Sequence, residues 1–510
     1  MTSKLTRRDF LKLGGMMPLS LAARPLLGAR PAWNPVSGER RNILIVIFDA
    51  LSALNLSMQG YGRNTMPNLE RLAKRAIVYH NNYAGSNFTT SGTATLLTGT
   101  LPWTHRAIED NGRIADPLVS HNLFRLFDDY FGIAFTHNSW VMGLLDQLRG
   151  WIDELVPREK LYLQTFDAPI HQAFYRDDDV ADVAWARAMK LQGGFSYSLL
   201  LSRFYTRVHD AGIANLESGF PRGVPMNASK DAFLLEQSTE WLANRLKILP
   251  QPFLGYFHFL PPHAPYRTSQ AFFDRFAGDG LRLVAKPLSE YGTAEAVAAA
   301  FQARTEYDEF ILYADQAFAD FYASLERSGL LDNTWLILTS DHGEMFERGH
   351  IGHGNPTLYD PVVRVPLVIF EPGRESGLQV HSPTSAVDLL ATLAYVAGRP
   401  VPEWAEGTVL PPFATTPLDA ERSILAVQAR KSQQKSPLSR ATIAMRKGAF
   451  KIMHYAGYPD FGPEGLTRLF DLEADPAELT DLAAVRPETT TELLAELKAR
   501  LRKSDEPYVI

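Results

Sequence analysis

Cysteine is absent from the 510 residues, so the chain forms no disulfide, offers no thiolate to a metal and has no cysteine nucleophile. Long apolar runs are missing as well, and with 45% hydrophobic and 21% charged residues the composition is that of an ordinary globular protein rather than a bundle of membrane spans. There is no surplus of positive charge. With 51 basic against 57 acidic side chains, the net charge of -6 gives nucleic acid no long-range attraction, so local groups or a metal must hold any anionic substrate. No internal repeat of fixed period is present. The length suits a large α/β domain carrying a smaller appendage.

What is present begins with an address. Arg7 and Arg8 stand before an uncharged stretch from Leu13 to Ala23, and small residues follow at Gly28 and Ala29. This pattern resembles a twin-arginine export signal. A basic tail or a membrane anchor is the alternative, but the stretch is short for a bilayer and contains Pro18 and paired glycines. Export through the twin-arginine machinery is expected, with the signal over residues 1–32, a periplasmic or secreted location, and no integral membrane span in the mature chain.

Beyond the signal, three apolar runs each end in a polar residue. Asn42 to Phe48 reads as a fully buried parallel strand with Asp49 at its C-terminal edge. Pro252 to Leu260 reads as a second strand and stops at Pro261-Pro262, leaving His263 in a loop. Thr334 to Ser340 is a third, leading into Asp341. Helical periodicity separates these runs at Pro67 to Arg75, where Asn68 is a candidate cap, and at Tyr307 to Arg327. The expected fold is a doubly wound, mostly parallel α/β sheet flanked by helices, which collects ligands at the C-terminal ends of its strands. The catalytic domain is expected over residues 40–405, and residues 405 to 440 read as linker or exposed loops. A small α+β C-terminal subdomain over 420–510 carries strands at Ala441 to Tyr455 and Thr467 to Leu472 and a helix from Thr489 to Arg502. The aromatic-containing segment 190 to 235 has no clear element and is a candidate for shaping the substrate entrance.

Two segments carry chemistry. Asp341-His342-Gly343-Glu344, followed by His350 and His353, gathers a carboxylate and three imidazoles after a buried strand; with Asp49 they suggest a divalent metal site. A lone Asp-His pair would be an ordinary surface turn, but the clustering argues against that. The second segment, Asn87 to Gly99, is dense in hydroxyls. At a helix head such hydroxyls sit where free amides favour an anion, and one of them is a candidate nucleophile. Ser/Thr clusters also simply cap helices and fill turns, and the residues alone do not choose among them.

Seven stretches in order resemble the sulfatase family of the alkaline-phosphatase-like superfamily: Asp49 through Leu69, Leu96-Leu97-Thr98-Gly99, Pro262-His263-Ala264-Pro265-Tyr266, Ser340 through Glu344, Arg364-Val365-Pro366-Leu367, Val387 through Leu393, and Leu469 through Leu479. The resemblance implies one divalent metal ion (Ca, Mn or Zn) held by Asp49, Thr89, Asp341 and His342. It implies catalytic roles for Thr89, His263 and His353, and substrate contacts from Thr90, Thr93 and His350. The family nucleophile stands ten positions before Gly99, which gives Thr89, with Thr90 as the fallback. In sulfatases that position is a cysteine or serine converted to formylglycine, and the pattern continues with proline, serine and arginine. Here the three following positions of that pattern are Ser91, Gly92 and Thr93, and a threonine cannot yield the formylglycine aldehyde. The usual second acidic ligand is replaced by Ala50. These departures resemble threonine-type phosphotransferases of the superfamily. The expected activity is metal-dependent hydrolysis or transfer at a phosphate or sulfate ester of a small-molecule, glycan or lipid substrate. The alternatives are a sulfuric ester hydrolase working without formylglycine and an inactive exported binding protein.

Overall fold

The computed structural model describes residues 40–163, 216, 218–227, 231–414, 418–419 and 421–509. The export signal at 1–32 and most of the aromatic segment 190 to 235 lie outside these residues.

The central sheet has eight strands: β1 (Asn42–Phe48), β2 (Ile77–Tyr79), β3 (Phe131–Thr136), β4 (Glu154–Leu155), β5 (Phe253–Phe259), β6 (Thr334–Thr339), β7 (Leu367–Phe370) and β8 (Leu378–Val380). Their spatial order is β4-β3-β5-β1-β6-β7-β2-β8, and every neighbouring pair is parallel except the two made by β7. β1 is central and wholly buried because both of its faces are covered. Leu44, Val46 and Phe48 enter one apolar core, while Ile43, Ile45 and Ile47 enter the other. That two-sided burial explains why the run is continuous rather than alternating.

Helices α1 (Pro67–Leu72), α2 (Thr89–Thr98), α3 (Ser139–Gln147), α4 (Leu235–Leu246), α5 (Ala294–Arg327) and α6 (Asp388–Val396) flank the sheet. α1 starts with proline at its first position and Met66 as its N-cap, so Asn68 lies inside the helix and its N–H donates to Asp315 at 2.8 Å. α5 begins at Ala294, well before the expected Tyr307, with the Thr293 hydroxyl accepting from the Ala296 N–H. Its first turns are alanine-rich and mostly exposed; helix propensity rather than an apolar stripe sustains them.

A second, antiparallel sheet follows: β9 (Ile424–Gln428), β10 (Ala441–Lys447), β11 (Phe450–Ala456) and β12 (Leu466–Asp471), covered by α7 (Pro487–Asp505). β9 falls inside the stretch expected to be linker; its five buried residues are hidden within a polar, proline-containing text. The opposite face of this sheet packs on Met345, Leu358, Tyr359 and Val362, and so braces the chain that follows Asp341 and His342. One charged contact pins the arrangement. Lys451 on β11 donates to Asp360 at 2.6 Å and to Glu478 at 2.8 Å, all three being fully buried. Removing the cation would leave two uncompensated carboxylates in the interior, at a cost of about 3–5 kcal/mol. Lys451→Met is therefore expected to lower the melting temperature measured by calorimetry, and an unchanged melting curve would show that the triad does not brace the fold.

Candidate active site

β1 and β6 are neighbours in register, with Ile47 beside Thr339, so the residues just past their C-terminal ends emerge side by side. One ligand atom each of Asp49, Asp341 and His342 lie within 4.8 Å of one another, all buried. Ser340 couples the two turns: its Oγ accepts from the Leu51 N–H at 2.9 Å and lies 2.6 Å from the Phe48 carbonyl. Ala50 adopts a left-handed φ of 62°, unusual for a residue with a Cβ, and this aims its N–H at Asp341 Oδ1, 3.3 Å away. Tyr307 of α5 secures that turn, donating to the Ala50 carbonyl at 2.7 Å and accepting from the Ser52 N–H at 2.9 Å.

Each carboxylate is half satisfied. Asn138 donates to Asp49 Oδ2 at 2.7 Å, and the His342 N–H donates to Asp341 Oδ1 at 3.0 Å. Asp49 Oδ1 and Asp341 Oδ2 are buried without a hydrogen-bond partner. Burial, reinforced by the charge of Asp49, pushes the Asp341 carboxyl well above its ordinary range. Burial also opposes ionisation of Asp49, but the surrounding imidazoles, His263 foremost, outweigh it and hold that carboxyl low. His342 places Nδ1 2.9 Å from the Gly343 carbonyl, so that nitrogen carries the proton and Nε2 presents a lone pair. Burial and the neighbouring His353 keep the ring neutral by lowering its pKa well below the ordinary value. Two unpaired carboxylate oxygens and a bare imidazole nitrogen make a donor set suited to a divalent cation.

The hydroxyls of α2 separate into two groups. Ser91 Oγ donates to the Ala107 carbonyl at 2.6 Å, Thr95 to the Ser91 carbonyl at 2.9 Å, and Thr98 to the Ala94 carbonyl at 2.7 Å, which are structural bonds. Thr89 differs. It stands at the first position of the helix with Oγ1 3.3 Å from His342 Nε2, facing the metal-type cluster. The hydroxyls of Thr90 and Thr93 are buried and have no partner among the described residues. α2 can approach this closely because residue 92 is glycine: a Cβ there would sit 2.2 Å from the Asp341 carbonyl oxygen.

His263 and His353 are partly exposed and close together, ring centres 5.0 Å apart, and His353 lies 4.2 Å from His342. Burial disfavours the charged form of His353, but Glu344, 2.8 Å from its Nδ1, overrides this and raises its pKa. His350 is placed differently. Its ring nitrogens face the Ser289 hydroxyl and the Asn355 amide, a pairing that fixes the loop. Asn87, just before α2, donates to the carbonyls of His353, Asn355 and Thr357, tying α2 to the histidine loop. Asn138 and His258, which stands 3.3 Å from Asp49, join the site without having been singled out by sequence, and Glu344, quoted there within the motif after Asp341, gains its place beside His353. Of the first two, only His258 left a signal: an imidazole inside an otherwise apolar strand.

Comparison with known proteins identifies the family. The sulfatase family model matches residues 41–399. The choline-sulfatase of Rhizobium meliloti is 28% identical over 474 residues, covering 87% of this chain and 82% of that protein. Bovine arylsulfatase K is 26% identical over 294 residues, covering 52% of this chain and 54% of its own length. Among solved structures, the phosphonate monoester hydrolase of Agrobacterium radiobacter superposes with a TM-score of 0.63 at 20% identity, covering 91% of this chain and 96% of that one, a likeness of fold.

Gly92→Ala sets two effects against each other. Alanine favours a helix by up to about 1 kcal/mol, whereas overpacking against a backbone carbonyl costs about 1–3 kcal/mol. The clash is expected to win: thermal melting shifts downward, and displacement of Thr89 by about 1 Å lowers turnover on the order of a hundredfold. A variant as stable and as active as the parent would contradict the close approach.

Proposed function

The chain belongs to the sulfatase family, metal-dependent enzymes acting on sulfuric or phosphoric ester bonds, and we propose that it hydrolyses or transfers a phosphoryl group with Thr89 as nucleophile. The observation that carries this reading is the Thr89 hydroxyl at the head of α2, 3.3 Å from His342 Nε2; Ser91, Thr95 and Thr98 are spent on backbone carbonyls, and Thr90 and Thr93 are buried without a partner among the described residues. Thr89 releases its hydroxyl proton to water and its Oγ forms the new bond to phosphorus in line with the departing oxygen, whose bond breaks. His353, whose charged form the neighbouring Glu344 favours, is the donor for the leaving alcohol; His263 beside it takes the proton of the incoming water or acceptor in the second half-reaction. Asp49, Asp341 and His342 would hold a divalent cation, which would supply charge neutralisation for the attacking oxygen. Asn138 and the Ala50 N–H orient the two carboxylates.

Phosphate is preferred over sulfate because an unmodified threonine ester must be cleared by attack at its central atom; it lacks the second hydroxyl through which a hydrated aldehyde expels sulfate. The similarity to a choline-sulfatase over 87% of the chain favours the second reading, a sulfate ester cleaved by the same hydroxyl. We place the enzyme outside the cytoplasmic membrane, following twin-arginine export; no helix among the described residues is long and apolar enough to span a membrane.

Purified protein assayed on aryl phosphate, phosphodiester and aryl sulfate is expected to turn over the phosphorus esters faster. Thr89→Ala should lose about a thousandfold or more in turnover, Thr89→Ser should retain part of it, and Thr90→Ala should change it little. Faster turnover of sulfate would select the second reading, and an unimpaired Thr89→Ala would remove the nucleophile. Replacing Arg7 and Arg8 with lysine is expected to retain the protein in the cytoplasmic fraction; unaltered export would contradict the location.

A further inference from the structure

β5 contributes one polar side chain to the site. His258 lies in register beside Ile47 of β1, two residues before Asp49, and is fully buried. Strand alternation sends it to the same face as Leu254 and Tyr256, the side covered by α2. Its Nε2 is 3.3 Å from Asp49 Oδ2 and 3.8 Å from Asp341 Oδ2, yet it makes no hydrogen bond in acceptable geometry. A buried imidazole nitrogen without a hydrogen bond, set beside the unpaired Asp341 Oδ2 and the Asp49 Oδ2 that Asn138 also reaches, is a group that a cation between the carboxylates would satisfy.

The spacing indicates what fits. His342 Nε2 stands 3.5 Å from Asp49 Oδ1 and 3.6 Å from Asp341 Oδ2, whereas His258 stands 3.8 Å from the same Asp341 oxygen but reaches Asp49 through Oδ2. Donors bound tetrahedrally at ordinary Zn–N and Zn–O lengths sit roughly 3.4 Å from one another. Both imidazoles therefore flank Asp341 Oδ2 near ligand-to-ligand distance, one on each side of the Asp49 carboxylate. The second ring nitrogen of His258 is also provided for: Nδ1 lies 3.4 Å from the Tyr256 hydroxyl, the outer partner a metal-bound imidazole requires to fix its tautomer.

We propose that His258 is a fourth protein ligand to the metal, making the centre a two-carboxylate, two-imidazole site approached by Thr89. This rests on the metal-dependent reading above and deepens it: two nitrogen donors favour zinc over calcium, which takes an oxygen shell. The rival role for the same residue is a protonated partner that neutralises Asp49 without touching the metal.

Metal binding separates the two without reference to turnover. The full chain, stripped with chelator, is titrated with Zn²⁺ and the Kd measured by competition, with metal content checked by mass spectrometry. The parent is expected to bind one ion, Asp341→Asn to bind far more weakly, and His258→Ala and His258→Gln to raise Kd by about tenfold or more while melting normally in chelator. Loading the ¹⁵N-histidine-labelled parent with ¹¹³Cd²⁺ needs no variant: one-bond coupling is expected at two histidine nitrogens. Coupling at a single nitrogen, or an unchanged Kd in folded His258 variants, would overturn the proposal and leave the metal-dependent reading intact. A parent that binds no metal would overturn both.

Discussion

The structure is organised around two carboxylates that cannot be left as they are. Asp49 and Asp341 are brought together at adjacent strand ends, fully buried, with one oxygen apiece lacking a partner. No lysine or arginine is paired with either among the described residues; the groups beside them able to carry positive charge are imidazoles, and a divalent cation held by Asp49, Asp341 and His342 would balance the charge. Burying such a pair is costly by itself, and a fold that maintains it does so for binding rather than for stability. The surroundings are consistent with that. Ala50 is held in a left-handed conformation by Tyr307, Ser340 bridges the two turns, and Gly92 lets the Thr89 helix close to backbone contact. Strain and close packing concentrate where the chemistry is proposed.

The antiparallel sheet has a part in this. Its inner face packs on the segment after His342, and the buried Lys451 triad anchors it, so the loop that carries His353 is gripped between that sheet and Asn87. Site imidazoles on loops need such a second source of rigidity, because the central sheet positions only residues next to its strand ends.

Much of this was legible in the order of residues. The β1, β5 and β6 runs are long, apolar and closed by polar residues, which is how parallel strands feeding a site read, and Asp49, Asp341 and His342 follow from that pattern. Thr89 could be placed only by resemblance, since a hydroxyl-rich helix offers no local signal separating it from Ser91 or Thr95; the distinction appears once Ser91 and Thr95 are seen bonded to carbonyls. Asn138 and His258 were missed because their meaning depends on contacts with residues about ninety and two hundred positions away. β9 was lost to its polar setting, and the early turns of α5 to the lack of an apolar stripe. His350 illustrates the opposite failure, a histidine near a motif whose ring is occupied by Ser289 and Asn355.

The central claim is that Thr89 becomes covalently bonded to the transferred group while a metal is held beside it. Rapid acid quenching during turnover of an aryl phosphate, followed by tandem mass spectrometry of the peptide containing Asn87 to Gly99, tests this directly. The account predicts one added phosphoryl group on Thr89, appearing with the divalent ion present and absent after chelation. A modification on Thr90, Ser91 or Thr93 instead, or an unmodified peptide under conditions of full turnover, would contradict it.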